Sequence, residues 1–260
     1  IARSRKHIET FYDTADIGKF PTRLKPLSHH LPITHRPDVI GFNEIFAQLS
    51  ALKMAVYAPV NYIQPSRLKK YEDRYDTKTE GGKGTLKQAD REKSLQALMT
   101  TNLLKRLESS VHAFRMTLGA LSGNISRTLD AIERFEASGG DATIEELDID
   151  LEAEAIEDDD FADFSVGKKI KIDLADMDIK SWKHELSADH LIIQGLIAEM
   201  ERVAPADDAK LQHLIAEIAG KMAHPLNPGN RKIVVFTAYA DTANYLFDQL
   251  APYFATAQNI

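Results

Sequence analysis

The stretch Leu104-Lys105-Arg106-Leu107-Glu108-Ser109-Ser110-Val111, continuing to Ile132-Glu133-Arg134-Phe135, decides the fold class. Leu104, Leu107, Val111, Phe114, Leu118, Leu121, Ile125, Ile132 and Phe135 recur in it at gaps of three and four, with Thr128 in one apolar slot. That is heptad spacing sustained over about four repeats. At 1.5 Å per residue, some thirty residues make a rod on the order of 45 Å long, so a protruding helical hairpin or bundle is expected. Gly119 and Gly123 lie inside the pattern, and each costs on the order of 1 kcal/mol against Ala, which makes them the expected place for a kink or break.

Working outward, Phe42, Ile45, Leu49, Leu52 and Val56 form a second helical stripe, closed by Pro59 and Pro65. Lys69 to Gly84 reads as a charged, Gly-rich loop. Before the stripe, Gly18, Pro21, Pro26, Pro32 and Pro37 make an extended crossover, and Leu27 to Ile33 alternates closely enough for a short edge strand. After the rod, Asp141 to Asp163 contains no Lys or Arg while acids crowd together, which predicts a mobile linker. Helical spacing returns at Leu191, Leu196, Met200 and Val203, and again at Leu211, Leu214, Ile218 and Met222.

The last section differs in kind. Pro225, Pro228 and Gly229 form a turn, and Lys232-Ile233-Val234-Val235-Phe236-Thr237 is a β-branched apolar run without alternation, as in a parallel strand buried on both faces. Asp241 or Thr242 can cap the helix carrying Tyr245, Leu246 and Leu250. A lone parallel strand cannot satisfy its own ladder, so its partners are expected outside this sequence or in another chain. Residue 1 is Ile, and the first decade mixes three Arg/Lys with His and Glu, so the start reads as a cut end and the chain as a fragment.

The 260 residues, 43% hydrophobic and 27% charged, exclude gross disorder. Thirty-two Lys plus Arg against 39 Asp plus Glu leave a net charge of −7, so any basic groove is local. Zero cysteines exclude a disulfide framework, a thiolate zinc site and a Cys nucleophile. The longest apolar runs are far shorter than the roughly 18 residues of a membrane span, so no membrane partner is expected.

Motifs with chemistry are scarce. Glu80-Gly81-Gly82-Lys83-Gly84-Thr85 fails as a phosphate loop, because Lys does not directly precede Ser or Thr and no strand leads into it. Glu157 to Asp160 follows acids rather than a buried strand, so it does not read as a magnesium-binding motif. His29, His30 and His35 share one extended segment, while His184 and His190 are six apart and cannot share a helical face; no metal site is expected. Ser187, Asp189 and His190 are sequence neighbours, read as polar residues at a helix start. The basic clusters Arg3, Arg5 and Lys6, Lys105 and Arg106, and Arg231 and Lys232 are the candidate phosphate-backbone contacts, with Arg67, Lys69 and Lys70 as a further cluster.

Three segments together resemble the region between the two RecA-like lobes of Swi/Snf-type helicase-like ATPases of superfamily two, especially the bacterial RapA/HepA-like branch. Ile1 to Ile8 is similar to the basic segment after the first lobe, with Ser4 separating two arginines that are usually adjacent there, and Phe20-Pro21-Thr22-Arg23-Leu24 resembles the crossover. Leu103 to Ser110 followed by Phe114 is similar to the helical-protrusion signature. Asp208-Ala209-Lys210-Leu211 and then Arg231 to Tyr239 resemble the entry to the second lobe, with Val235, Phe236, Thr237 and Tyr239 at its motif IV strand.

The resemblance implies a mainly α chain with one βα element of an incomplete RecA-like second lobe. It divides into 1–36, end of first lobe and crossover; 37–140, helical protrusion; 141–180, acidic linker; 181–224, helices leading to the second lobe; and 225–260, start of that lobe. It implies a parent that is an ATP-dependent DNA translocase or helicase of the bacterial cytoplasm. That parent would use ATP and Mg, act on duplex DNA or RNA, and contact the remaining lobe segments. The phosphate loop, the Asp-Glu strand and the arginine fingers of such motors are not in this sequence, so no ATPase activity is expected of the chain by itself and no catalytic residue is assigned. The alternative reading is a non-enzymatic helical interaction module whose heptad stripe packs on a partner coil or on a second copy.

Overall fold

A computed structural model describes residues 5–11, 20, 23–78, 85–139, 146–149 and 170–258. The described chain is mainly helical: α1 (Arg5–Phe11), α2 (Phe42–Ala51), α3 (Leu68–Tyr75), α4 (Gln88–Ser109), α5 (Val111–Ala137), α6 (Ile179–Glu201), α7 (Ala209–Ala223) and α8 (Ala240–Gln258). Two short antiparallel pairs accompany them: β1 (Thr77–Lys78) with β2 (Thr85–Leu86), and β3 (Glu146–Ile149) with β4 (Ile170–Asp173). Among the described residues no helix is long and apolar enough to cross a membrane.

The heptad stretch forms two helices rather than one rod. Ser110 takes an extended conformation (φ −161°, ψ 152°), and its Oγ accepts from the Ala113 N–H at 3.0 Å, which starts α5 afresh. The expected break at Gly119 and Gly123 does not occur, because both sit within the continuous α5. The stripe is consumed internally: Leu107, Phe114, Leu118, Leu121, Ile125 and Ile132 are buried where α5 lies along α6 and α4 packs on α5. These residues are therefore not available to a partner coil. Thr128 fits its apolar slot by donating its hydroxyl to the Asn124 carbonyl, 2.9 Å away.

One core joins α2, α4, α5 and α6 and includes the fully buried Trp182 of α6. Met54 holds the left-handed conformation (φ 51°), which costs a side-chain-bearing residue about 1 kcal/mol. It is kept there from α6: Asp189 accepts from Lys53 N–H at 2.7 Å and Ala55 N–H at 2.9 Å, while Trp182 Nε1 donates to the Ala55 carbonyl at 3.0 Å. Asp189 and His190 therefore lie in the middle of α6, not at a helix start. His190 Nε2 instead meets Ser122 Oγ at 3.0 Å.

Other expectations are corrected. Part of the supposed 69–84 loop is α3, anchored by buried Tyr71 and Tyr75; residues 79–84 lie outside the described ones. The acidic block is not linker throughout, since Glu146–Ile149 pairs with Ile170–Asp173; residues 141–145 and 150–169 lie outside the described residues. Leu27 to Ile33 forms no strand, though Ile33 is buried and its carbonyl accepts from Ala209 N–H at 3.2 Å.

The expected strand at Ile233 to Phe236 is also absent. The segment has no regular structure and no ladder partner among the described residues, and the side chains of Val234 (74% exposed), Val235 and Phe236 (90% exposed) face solvent. A strand with no neighbour cannot pair its N–H and C=O groups, and that is the physical reason the apolar run stays irregular here. The core stops short of this region: among the described residues, α7 and α8 contribute nothing to the main apolar cluster.

Candidate functional site

The break between α4 and α5 makes a socket, and the start of α8 is seated in it. Thr242 is buried, with its Oγ1 2.8 Å from Ser109 Oγ and 2.9 Å from Ser110 Oγ. Arg106 Nη1 donates to Asp241 Oδ2 at 2.6 Å, and the guanidinium lies over the Tyr239 ring at 4.7 Å. The side chains of Asp241 and Thr242, expected as helix caps, are therefore turned onto α4 and Ser110.

From the other side, α7 completes the joint. Asp208 caps α7 by accepting from Lys210 N–H and Leu211 N–H, both at 3.0 Å, and its second oxygen accepts from the Tyr245 hydroxyl at 3.0 Å. Tyr245 stacks flat on His112, with ring centroids 5.0 Å apart. Burial raises the Tyr245 pKa, and the Asp208 carboxylate raises it further, so the hydroxyl keeps its proton for that bond. Burial lowers the His112 pKa, reinforced by Arg115, which keeps the stacked imidazole neutral at pH 7. Lys210 Nζ donates to the Glu108 carbonyl, satisfying an orphan acceptor at the C-terminus of α4.

Between this joint, α7 and the segment 25–31 lies a cleft of about 940 Å³. Lys25, Lys105 and Lys210 bring cations to it, and the exposed Phe236 borders it.

The candidate cations fare differently. Arg3 lies outside the described residues, and Arg5 and Lys6 fall in α1. Lys105 lines the cleft. Arg106 is only 2% exposed and is paired inside the chain, so as a phosphate contact it is corrected. Successive helical residues point about 100° apart, so Lys105 can face the cleft while Arg106 faces α8. Arg231 and Lys232 are exposed on the approach to α8, where the Lys232 carbonyl accepts from Lys221 Nζ at 2.6 Å. Of the motif-IV-like residues, Tyr239 is buried under Arg106, Thr237 Oγ1 accepts from Tyr239 N–H at 3.4 Å, and Val235 and Phe236 stand exposed.

Sequence reasoning missed His213 and Glu217, which share one face of α7 and meet His29 across the cleft. The spacing of four was legible; the arrival of His29 from 184 residues away was not. No family model, curated protein or solved structure matches the chain.

Proposed function

We propose that this chain is the inter-lobe region of a Swi/Snf-type, superfamily two DNA-dependent ATPase, with Ile233 onward as the opening βα element of the second lobe. The observation that carries the reading is the apolar run Ile233 to Phe236, unpaired among the described residues, running into a helix whose start is locked to the bundle. Contiguous exposed apolar side chains are usually covered by a partner, and a β-branched run most economically by adjoining strands. In the whole protein those strands belong to the second lobe, and ATP with Mg is held by lobe residues outside this sequence.

In this reading Arg106 is a coupling residue. A rotation of the second lobe during ATP turnover reaches the bundle through Asp241, Tyr239 and Thr242. The bundle, through Lys105 on α4, and the approach to α8, through Arg231 and Lys232, brace duplex nucleic acid at the phosphate backbone.

Fluorescence anisotropy of a labelled duplex, titrated with the 260-residue chain between about 50 and 200 mM salt, tests the proposal. The expected result is affinity that falls linearly with salt on logarithmic axes. Lys105→Ala and a double Arg231→Ala, Lys232→Ala variant each flatten the slope, by about one for every phosphate that the variant no longer neutralises. Salt-independent binding, or none, overturns the nucleic-acid role.

A further inference from the structure

The cleft holds a ligand set that the nucleic-acid reading does not use. On α7, His213 and Glu217 are four residues apart and so lie on one face of the helix. From the irregular segment before α2, His29 sets its ring against His213, with centroids 4.5 Å apart and planes inclined at 51°. One ligand atom from each of the three residues lies within 4.8 Å of the other two, and all three side chains line the cleft.

His213 Nε2 gives this cluster a second, independent feature. That nitrogen is sealed from solvent and has no hydrogen-bond partner. Glu217 Oε1, at 4.0 Å, is beyond hydrogen-bond reach. The His213 side chain as a whole is 31% exposed, so this unpaired nitrogen, beside a carboxylate and a second imidazole, is a donor that an ion entering from the cleft can meet.

Two imidazoles and one carboxylate match the chemistry of a zinc-class ion. Nitrogen ligands suit zinc and its first-row neighbours, whereas magnesium and calcium take oxygen. A tetrahedral ion with bonds of about 2.0–2.2 Å needs its ligand atoms roughly 3.4 Å apart. The His213–Glu217 contact of 4.0 Å must therefore close by about half an ångström, and separations of up to 4.8 Å within the cluster by up to about 1.4 Å, through rotation of the exposed His29 and Glu217 side chains onto His213. We propose that His29, His213 and Glu217 bind a divalent transition-metal ion of the zinc class, with a fourth position open to the cleft. The ion ties the segment around His29 to α7 and so fixes one wall of the cleft. The proposal stands on these three residues and is independent of any role in nucleic-acid binding.

The test uses the untagged chain, stripped with a chelator and titrated with cobalt(II). The expected result is one equivalent bound with the visible absorption of four-coordinate cobalt, displaced by zinc. His29→Ala and Glu217→Gln each weaken binding at least tenfold, while His184→Ala, on α6, leaves it unchanged. Thermal unfolding of the metal-free variants, matching the metal-free parent, shows that they are folded. Zinc raises the midpoint of the parent and not that of a His29→Ala, His213→Ala, Glu217→Gln triple variant. Absence of the cobalt absorption, or its persistence in the triple variant, overturns the site.

Discussion

At the scale of single residues, Glu92 is a carboxylate buried between two charged neighbours in sequence, Arg91 and Lys93. It lies near the start of α4, 1% exposed, with one carboxylate oxygen accepting from Val60 N–H at 3.0 Å and the other from the Gln88 side-chain amide at 3.3 Å. Burial pushes its pKa up to about 8, and these two hydrogen bonds pull it back only in part. The folded-state value exceeds the ordinary one of 4.5, so the folded chain binds more protons than the unfolded chain between about pH 4.5 and 8. Stability is therefore highest below that window and is lost as pH rises through it. Glu92→Gln, which keeps an acceptor for Val60 and carries no charge, is expected to remove this dependence. Urea unfolding of both proteins from pH 5 to 9 checks it: the difference between them grows with pH to the order of a few kcal/mol. Parallel profiles would show that Glu92 reaches water in the folded chain. Nothing in Arg91-Glu92-Lys93 announces this, because one of the donors that meets the carboxylate, the Val60 N–H, is 32 residues away.

At the scale of elements, the heptad pattern showed which face of α4 and α5 would be buried but not where one helix would end. Ser110 lies outside the apolar slots, so a break there leaves the spacing of Leu107 and Val111 untouched. The glycines misled for a related reason. Helix propensity assigns each a penalty of about 1 kcal/mol, which the burial of Leu118, Leu121 and Ile125 in the same helix outweighs. Gly119 is exposed, and a Cβ built there meets nothing within 4 Å. Gly119→Ala is accordingly expected to stabilise the chain by roughly 0.5–1 kcal/mol, read as a raised urea midpoint with an unchanged slope. A lowered midpoint would mean that α5 needs the glycine for a bend. Elements that depend on distant partners were illegible in principle: β3 pairs with residues more than twenty positions along the chain, and α3, rich in charge, is fastened by Tyr71 donating to Asp176 at 2.9 Å.

At the scale of the whole molecule, the chain divides into an embedded part and an attached part. The core ends with Val203 beyond α6, while α8 exposes Phe247 (71%) and Tyr253 and is held through Asp241, Thr242 and Tyr245 in its first two turns. This is where sequence reading of the site went furthest astray, since the partner of Arg106 stands 135 residues further on. If the Arg106–Asp241 pair is what seats α8, Arg106→Met must release that helix without melting the bundle. Removing the arginine leaves Asp241, whose side chain is 32% exposed, able to reach water, so the penalty is smaller than the roughly 3–5 kcal/mol of a fully buried pair. Hydrogen exchange read by mass spectrometry separates the two parts. Amides of α8 are expected to exchange faster in the variant by about tenfold or more, with α5 and α6 keeping their protection. A second variant, Arg106→Met with Asp241→Asn, restores no contact and should exchange like the first, so that the effects are not additive. Equal acceleration across α5, α6 and α8 would show instead that Arg106 supports the core as a whole, and the attachment of α8 would then depend on Thr242 and Tyr245.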